Sequence, residues 1–256
     1  MISALKQFLP RRLRNWLCLR RLNVERQLLP FDRVTDFSVL RRIRPYRPLF
    51  GWRRGRCVDR FYIEQFLSQH SQDIRGRAVE IGKNLYMAQF GGNRITRADV
   101  LDFVDGPGIT LCADLASAPA IPDNSFDSII CTQTLMYVYD LRAAVKTLHR
   151  TLAPGGVALI TLAGITQLAP PSMTGGADDF WRFTRASAHK LFADVFGPEN
   201  IEVQSFGNVL TAMAFLHGLV ADELTPEEFA NNDPDYPLIV TVRAVKAPST
   251  ETAPHA

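Results

Sequence analysis

The sequence predicts an α/β fold in which a mostly parallel β-sheet is covered by helices on both faces. From residue 57 onward, seven short apolar runs alternate with stretches whose apolar residues recur at helical spacing. The run at 125–132, SFDSIICT, is almost continuously apolar, which is typical of a strand buried on both faces. The chain has 256 residues, 46% hydrophobic and 21% charged, so it can bury a full core without disulfide bonds.

The predicted elements follow one another in regular order. A helix at 58–70 carries apolar residues at helical spacing, among them Phe61, Ile63 and Phe66. A short helical turn is expected at 86–90, and further helices at 185–196 and 209–219. The seven strands are expected at 77–81, 93–100, 109–112, 125–132, 157–162, 201–206 and 238–245.

The clearest helix begins after Asp140, because an aspartate side chain accepts hydrogen bonds from the first backbone N–H groups of a helix. Apolar residues follow Leu141 at i+3, i+4 and i+7, which is one face of a helix. Pro-Gly-Gly at 154–156 ends it. We therefore expect this helix to connect the fourth and fifth strands.

Polar residues gather where the first four strands end. Strand one ends around Glu80 and Gly82, strand two beside Asp99, strand three before Asp114 and strand four before Gln133. In parallel sheets, ligands bind at the carboxyl ends of the strands. A glycine lets a ligand approach the backbone, one acid can accept ribose hydroxyls, and another can accept a purine amine. The pattern predicts an adenosine pocket.

Three segments carry a family resemblance: ADL at 113–115, IPDNSFD at 121–127 and LAPGG at 152–156. In this order they resemble class I S-adenosylmethionine-dependent methyltransferases of the type 11 group, and the resemblance covers about 77–246. It implies a Rossmann-like seven-stranded sheet with six parallel strands and a last, antiparallel strand between strands five and six. It also implies S-adenosylmethionine as cofactor.

The resemblance assigns roles to individual residues. Asp99 matches the acid that binds the ribose, and Asp114 matches the acid that contacts the adenine. Leu115 would offer a backbone N–H and an apolar flank, and Gln133 would lie near the methionine part of the cofactor. The implied cofactor-binding set is Glu80, Gly82, Asp99, Asp114, Leu115 and Gln133. Glu80 could instead cap a helix or form an internal salt bridge.

One motif departs from the family pattern. The usual E-x-G-x-G-x-G reads EIGKNLY at 80–86, so Asn84 and Tyr86 replace two glycines. Asparagine tolerates positive φ better than most residues, so Asn84 can keep the turn. Tyr86 would either crowd the pocket or pack beneath it.

Two stretches, DRFYIE at 59–64 and DFWRFT at 179–184, are similar to methyltransferases associated with cell-surface polysaccharide and glycan synthesis. That similarity implies a small or glycan-linked acceptor, contacted by Arg60, Tyr62, Trp181 and Arg182. The two arginines could hold a phosphate on it. Alternatively, Tyr62 packs in the core, and Trp181 and Arg182 anchor a loop.

A general base would help if the acceptor is a hydroxyl. No histidine or carboxylate stands out for this role, so the candidates for catalysis are Tyr137, Asp140 and Asp179. The scattered cysteines and histidines form no C-x-x-C or H-x-x-x-H pair, so we expect no metal site.

The charge divides the chain into a basic arm (1–56), a methyltransferase domain (57–246) and a disordered tail (247–256). Residues 1–60 carry 16 Lys and Arg against 4 Asp and Glu, and the remainder carries 13 against 22. Residues 1–22 have the pattern of an amphipathic helix that could lie on an anionic membrane, or pack on the protein with its arginines outward. We expect a cytoplasmic protein, which the arm could also hold on the inner face of the membrane.

The predicted function is S-adenosylmethionine-dependent methylation of an oxygen or nitrogen on a small or glycan-linked acceptor. The alternative is a catalytically degenerate methyltransferase fold acting as a binding or scaffold subunit in glycan synthesis, suggested by the replaced glycines. A nicotinamide-dependent oxidoreductase lacks support because no G-x-G-x-x-G follows strand one. Nucleic acid is an unlikely partner because no recognised binding motif accompanies the basic charge.

Overall fold

The seven strands form one twisted sheet in the order β3-β2-β1-β4-β5-β7-β6. β7 pairs antiparallel with both of its neighbours, β5 and β6, and the other pairs are parallel. This confirms the predicted Rossmann-like sheet, with its last strand antiparallel between strands five and six. The strands are β1 (Gly76–Ile81), β2 (Ile95–Asp102), β3 (Leu111–Cys112), β4 (Phe126–Thr132), β5 (Leu152–Ala163), β6 (Ile201–Phe206) and β7 (Ile239–Val245).

The computed structural model describes residues 42–248. Most of the predicted basic arm, including its amphipathic helix at 1–22, and most of the predicted tail lie outside this range. No helix within 42–248 is long and apolar enough to cross a membrane.

Five helices pack on the sheet in the described part of the chain: α1 (Val58–Gln69), α2 (Leu141–Thr151), α3 (Arg185–Phe196), α4 (Val209–Leu216) and α5 (Pro226–Ala230). Local chemistry explains where they begin. The Asp140 carboxylate accepts a hydrogen bond from Ala143 N at 2.9 Å, as predicted for the start of α2. Thr184 and Ser187 form a reciprocal capping box at the start of α3. The short helix α5 was not predicted from the sequence.

Each face of the sheet has its own hydrophobic core. Ile129 and Ile130 are neighbours in β4, yet Ile129 packs in the cluster that includes α2 and α3, and Ile130 in the cluster that includes α1 and α4. Successive residues of a strand point to opposite faces, so a strand covered on both sides must be apolar at every position. This explains the apolar run that first indicated the fold.

The residues just before α1 pack against α4. Phe50 stacks on Phe215 with ring centroids 5.2 Å apart, and Arg47 N donates to His217 O at 3.0 Å. Closer to α1, Arg56 O accepts a hydrogen bond from Ala221 N, which follows α4 in the chain. The segment 44–56 is therefore part of the same compact unit as the sheet.

Candidate functional site

Gly82 shapes the edge where β1 ends. Its backbone has φ +96°, which favours glycine, and its N–H donates to Leu101 O at 2.8 Å, tying it to the neighbouring strand β2. A Cβ built on Gly82 would meet no atom within 4 Å. The space in front of this residue is open, as a ligand lying against the backbone requires.

The structure corrects the placement of Asp99. β2 ends at Asp102, so Asp99 lies inside the strand, opposite Val79 of β1, and only 2% of it is exposed. Its carboxylate accepts a hydrogen bond from Arg77 Nε at 2.8 Å, and Arg97 Nε lies 3.3 Å away. Thr110 Oγ1 donates to it as well, at 3.3 Å. Asp99 is a buried partner of these side chains and does not reach the end of the strand.

Asp102 occupies the position that Asp99 was predicted to hold. It is the last residue of β2, and Ala113 N donates to its carbonyl oxygen at 2.9 Å, which places it beside the end of β3. One carboxylate oxygen accepts Val104 N at 3.2 Å. The next residue, Phe103, has 53% of its surface exposed. The sequence signal that could have located Asp102 is the turn-forming segment DGPG at 105–108, which begins three residues later.

Asp114 lies on the same edge, after β3. Its Oδ1 accepts a hydrogen bond from Ala116 N at 2.8 Å, and its carbonyl accepts from Ser117 N and Ala118 N, so it begins a tight turn. The residue is exposed, which leaves its Oδ2 accessible to a ligand. The Leu115 side chain is buried at 6% exposure within the core. Only the backbone of Leu115 can therefore contribute to a site at this edge.

Glu80 organises the loop after β1 from within. It is 3% exposed, and its carboxylate accepts hydrogen bonds from Tyr86 N at 2.9 Å, Met87 N at 2.8 Å and Leu85 N at 3.2 Å. Burial raises the pKa of this carboxyl, and the three backbone N–H groups oppose that shift. Glu80 therefore caps the helical turn at Met87–Gly91. This is the alternative role considered for it, and its carboxylate does not need to touch a ligand.

Tyr86 packs beneath the loop. Its side chain is 2% exposed, belongs to the core cluster that includes α1, and stacks on Phe90 with ring centroids 6.1 Å apart. The hydroxyl accepts a hydrogen bond from Arg60 Nη1 at 3.0 Å. Of the two arrangements considered for Tyr86, the structure shows packing into the core. Arg60 is thereby held against the protein, although 37% of its side chain stays exposed.

The loop after β4 continues the edge on the other side of β1. Gln133 follows the strand with φ +49°, and its N–H donates to Thr161 O at 2.9 Å. Tyr137, in the short turn Leu135–Tyr137, is half-buried. Burial raises the pKa of its hydroxyl, and the charges of Asp179, Arg182, Arg60 and Asp59 also act on it.

The loop between β5 and α3, residues 164–184, is anchored across this edge. Phe180 N donates to Met136 O at 2.9 Å, and Trp181 Nε1 donates to Val138 O at 3.1 Å. Further along, a Cβ on Gly175 would lie 3.9 Å from Phe103 Cζ, so the loop reaches the end of β2. The 164–184 loop therefore spans the carboxyl edge of the sheet.

Two acids proposed for catalysis already have hydrogen-bond partners within the fold. Asp140 is the N-cap of α2 and is exposed. Asp179 accepts two hydrogen bonds from Arg182, one of them at 2.8 Å, and one from Ala169 N at 2.9 Å. Burial opposes the charge of Asp179, but these hydrogen bonds outweigh it and hold its pKa below the ordinary value. Such a carboxylate is a weak base.

The residues predicted to contact the acceptor have structural contacts. Tyr62 is 2% exposed, its hydroxyl donates to Phe229 O at 3.2 Å, and its ring packs against Phe61 and Phe206. The placement of Tyr62 on a substrate surface is therefore wrong. Trp181 and Arg182 hold the 164–184 loop, and Arg182 also donates to Gln167 O at 2.7 Å. These are the alternatives considered for all three residues.

The structure thus brings Gly82, Asp102, Asp114 and Gln133 to one edge, in the order of strands β1, β2, β3 and β4. Because β1 lies between β2 and β4, a ligand held by Asp102 and Asp114 would cross Gly82 on its way to Gln133. The arrangement can bind an elongated ligand with a polyhydroxyl group at one end.

One protein family and several solved structures are similar to this chain. Residues 70–160 match a protein family described as a methyltransferase domain. No curated protein matches the chain. An S-adenosylmethionine-dependent methyltransferase from Mesorhizobium loti has 18% identity and a TM-score of 0.49, covering 74% of this chain and 98% of that one.

Two further solved structures are similar to this chain. The N-methyltransferase NodS from Bradyrhizobium japonicum, in complex with S-adenosylhomocysteine, has 15% identity and a TM-score of 0.46, covering 76% of this chain and 91% of that one. A Burkholderia thailandensis 1,6-didemethyltoxoflavin-N1-methyltransferase, with S-adenosylhomocysteine bound, has 13% identity and a TM-score of 0.47, covering 73% and 77%.

Proposed function

We propose that this chain is a class I S-adenosylmethionine-dependent methyltransferase that methylates a nitrogen or oxygen of a small acceptor, and the match of residues 70–160 to a methyltransferase domain supports this. S-adenosylmethionine supplies an electrophilic methyl group on its sulfonium. The protein supplies binding and orientation, which can lower a barrier by roughly 7–11 kcal/mol. The observation that carries the proposal is that Gly82, Asp102 and Asp114 end three adjacent strands at one edge.

These residues fit the adenosine part of the cofactor. The open space before Gly82 accommodates a ligand against the backbone. The carboxylate of Asp102 can accept both ribose hydroxyls, and Phe103 beside it offers an exposed ring to the adenine. Asp114 Oδ2 can accept a hydrogen bond from the adenine amine. We therefore assign the ribose to Asp102 in place of Asp99.

The methionine part would extend toward β4. Strand order requires this, because β2 and β3 lie on one side of β1 and β4 lies on the other. Gln133, held at φ +49° after β4, is suitably placed to contact it. The reacting methyl group would then lie between the loops that follow β1 and β4.

The acceptor is the less defined part of the proposal. A glycan-linked acceptor was inferred from the segments 59–64 and 179–184, and in both of them most predicted contact residues hold the fold together. Among the residues predicted to contact the acceptor, Arg60 still offers an accessible charge. The replaced glycines were the reason to consider a degenerate, non-catalytic role. Tyr86 does not enter the space before Gly82, so its presence there does not support that role.

Calorimetric titration of S-adenosylhomocysteine into three proteins tests the proposal. Asp102→Ala should weaken binding about ten- to hundredfold, because hydrogen bonds to a charged group contribute roughly 1.5–3 kcal/mol. The matched control is Asp105→Ala, which removes an exposed acid from the same loop, one whose carboxylate accepts a hydrogen bond from Gly106 N. Equal affinity of Asp102→Ala and wild type would contradict the assignment.

A further inference from the structure

Asp59 is a buried acid with an unsatisfied oxygen. It is the second residue of α1 and is 6% exposed, and its Oδ1 has no hydrogen-bond partner among the described residues. Its Oδ2 lies 3.8 Å from Arg60 Nε. Leaving a buried carboxylate oxygen without a partner costs stability, so such an oxygen calls for an explanation. A ligand that donates a hydrogen bond to Oδ1 would provide one.

The fold places Asp59 beside the proposed methyl position. Only a short connection joins the end of α1 to the start of β1, so the first turn of α1 lies at the opposite, carboxyl edge of the sheet. The hydrogen bond from Arg60 to Tyr86 fixes this turn to the loop after β1. Asp59 and Arg60 also interact electrostatically with Tyr137 in the loop after β4. Asp59 therefore lies between the two loops that would flank the methyl group.

The surroundings of Asp59 suit proton transfer. Burial raises the pKa of its carboxyl, and the charge of Arg60 and the backbone N–H groups of Asp59 and Arg60 oppose the shift. A carboxylate with a raised pKa is a stronger base. The titratable and charged groups that interact with it are Cys57, Arg60, Glu64, Tyr86 and Tyr137. Both oxygens of Asp179 accept hydrogen bonds, whereas Oδ1 of Asp59 is buried with no hydrogen-bond partner in the described part of the chain.

We infer that Asp59 is the general base of the acceptor site, with Oδ1 accepting a hydrogen bond from the nucleophilic N–H or O–H of the acceptor. This inference rests on the proposed function. The acceptor's lone pair forms the new bond to the methyl carbon, and the carbon–sulfur bond breaks with its electron pair moving to sulfur. The proton of the acceptor moves to Asp59 Oδ1. The group that is methylated is therefore an amine or a hydroxyl. Nucleophiles that carry no proton, such as carboxylates, are excluded.

The cofactor analogue sinefungin tests the position of Asp59 without a known acceptor. It carries a protonated amine where S-adenosylmethionine carries its methyl group, whereas S-adenosylhomocysteine carries nothing there. Asp59→Asn should lower the affinity for sinefungin about tenfold relative to that for S-adenosylhomocysteine, because the amine loses a charged partner. Asp59→Glu should largely restore the ratio. The matched control is Glu64→Gln, which removes a half-buried acid from the same helix.

The outcomes separate the two hypotheses. Retained affinity for S-adenosylhomocysteine shows that a variant is folded, and an unchanged sinefungin ratio in Asp59→Asn would then overturn the role of Asp59 alone. If the variant does not fold, the same ratio is measured on the wild-type protein as the pH is lowered. It should fall as Asp59 becomes protonated, and a constant ratio would overturn the inference. Failure of the wild-type protein to bind either ligand would overturn the proposed function as well.

Discussion

Arg60 Nη1 donates a hydrogen bond of 3.0 Å to the hydroxyl of Tyr86, joining the first turn of α1 to the loop after β1. Tyr86 stands where the methyltransferases that the sequence resembles have the last glycine of their first motif. Here the ring lies in the core at 2% exposure, and the Glu80 carboxylate fixes the backbone of the loop. The tyrosine is therefore a structural replacement for the glycine and leaves the edge at Gly82 open.

Replacing Tyr86 with the glycine of the family motif should lower the free energy of unfolding. Tyr86→Gly removes a fully buried ring, and comparable deletions of a large buried side chain cost about 3–5 kcal/mol. Urea denaturation should show this loss, and the affinity for S-adenosylhomocysteine should not rise. Tyr86→Phe is the control, because it keeps the ring and should cost only about 1 kcal/mol. A Tyr86→Gly protein of unchanged stability and tighter cofactor binding would contradict this account.

Loss of the charge on Asp99 should lower the stability of the protein, whereas loss of the charge on Asp102 should weaken cofactor binding. Asp99→Asn weakens contacts with Arg77 and Arg97 and should destabilise the protein by about 1–3 kcal/mol, with cofactor affinity within about twofold of wild type. Asp102→Asn should change stability by less than about 0.5 kcal/mol but weaken cofactor binding. Denaturation and calorimetry on the same samples measure both effects. The reverse pattern would return the ribose to Asp99.

β2 ends at Asp102, three residues beyond Asp99, and the sequence could not reveal this. The extension of β2 depends on pairing between strands: Leu101 pairs with Ile81 of β1, and Leu101 and Asp102 pair with the two residues of β3. By contrast, α3 and β6 begin and end where predicted, because the capping residue Thr184 and the helix break at 197–198 are local signals. Local chemistry located most elements, and pairing between strands determined which acid lies at the end of β2.

Burial was also hidden from the sequence. A family similarity assigned Tyr62 and Trp181 to the acceptor, and such a similarity carries no information on burial. Their hydroxyl and indole N–H groups instead donate to the carbonyl oxygens of Phe229 and Val138. Partners so far away in the chain could not be identified without the fold.

Trp181 should control the mobility of the 164–184 loop. Trp181→Phe keeps an aromatic ring but removes the hydrogen bond to Val138 O. A loss of about 1 kcal/mol should lower the melting temperature by about 2–4 °C and increase hydrogen exchange in this loop. Phe180→Leu is a suitable control, because that side chain is 44% exposed. Unchanged exchange throughout 164–184 in Trp181→Phe would show that the indole does not anchor the loop.

Asp179 should contribute a pH-dependent part of the stability. Its pKa is lowered in the folded protein, so its contribution is present above the unfolded value of about 3.9 and is lost as the pH falls through the folded value. Wild type should therefore be more stable than Asp179→Asn at pH 7, and the difference should shrink below about pH 4. Unfolding measured from pH 3 to 7 tests this. A difference that grows on acidification would mean that the Arg182 contact does not stabilise the charged form.

Calorimetric titration of S-adenosylmethionine into the wild-type protein measures whether the edge at Gly82 binds the cofactor. We expect one-to-one binding in the micromolar range, because the open edge at Gly82 and the acids Asp102 and Asp114 would form a cofactor site despite the altered glycine motif. A folded protein that releases no heat and gains no thermal stability at millimolar cofactor would contradict it.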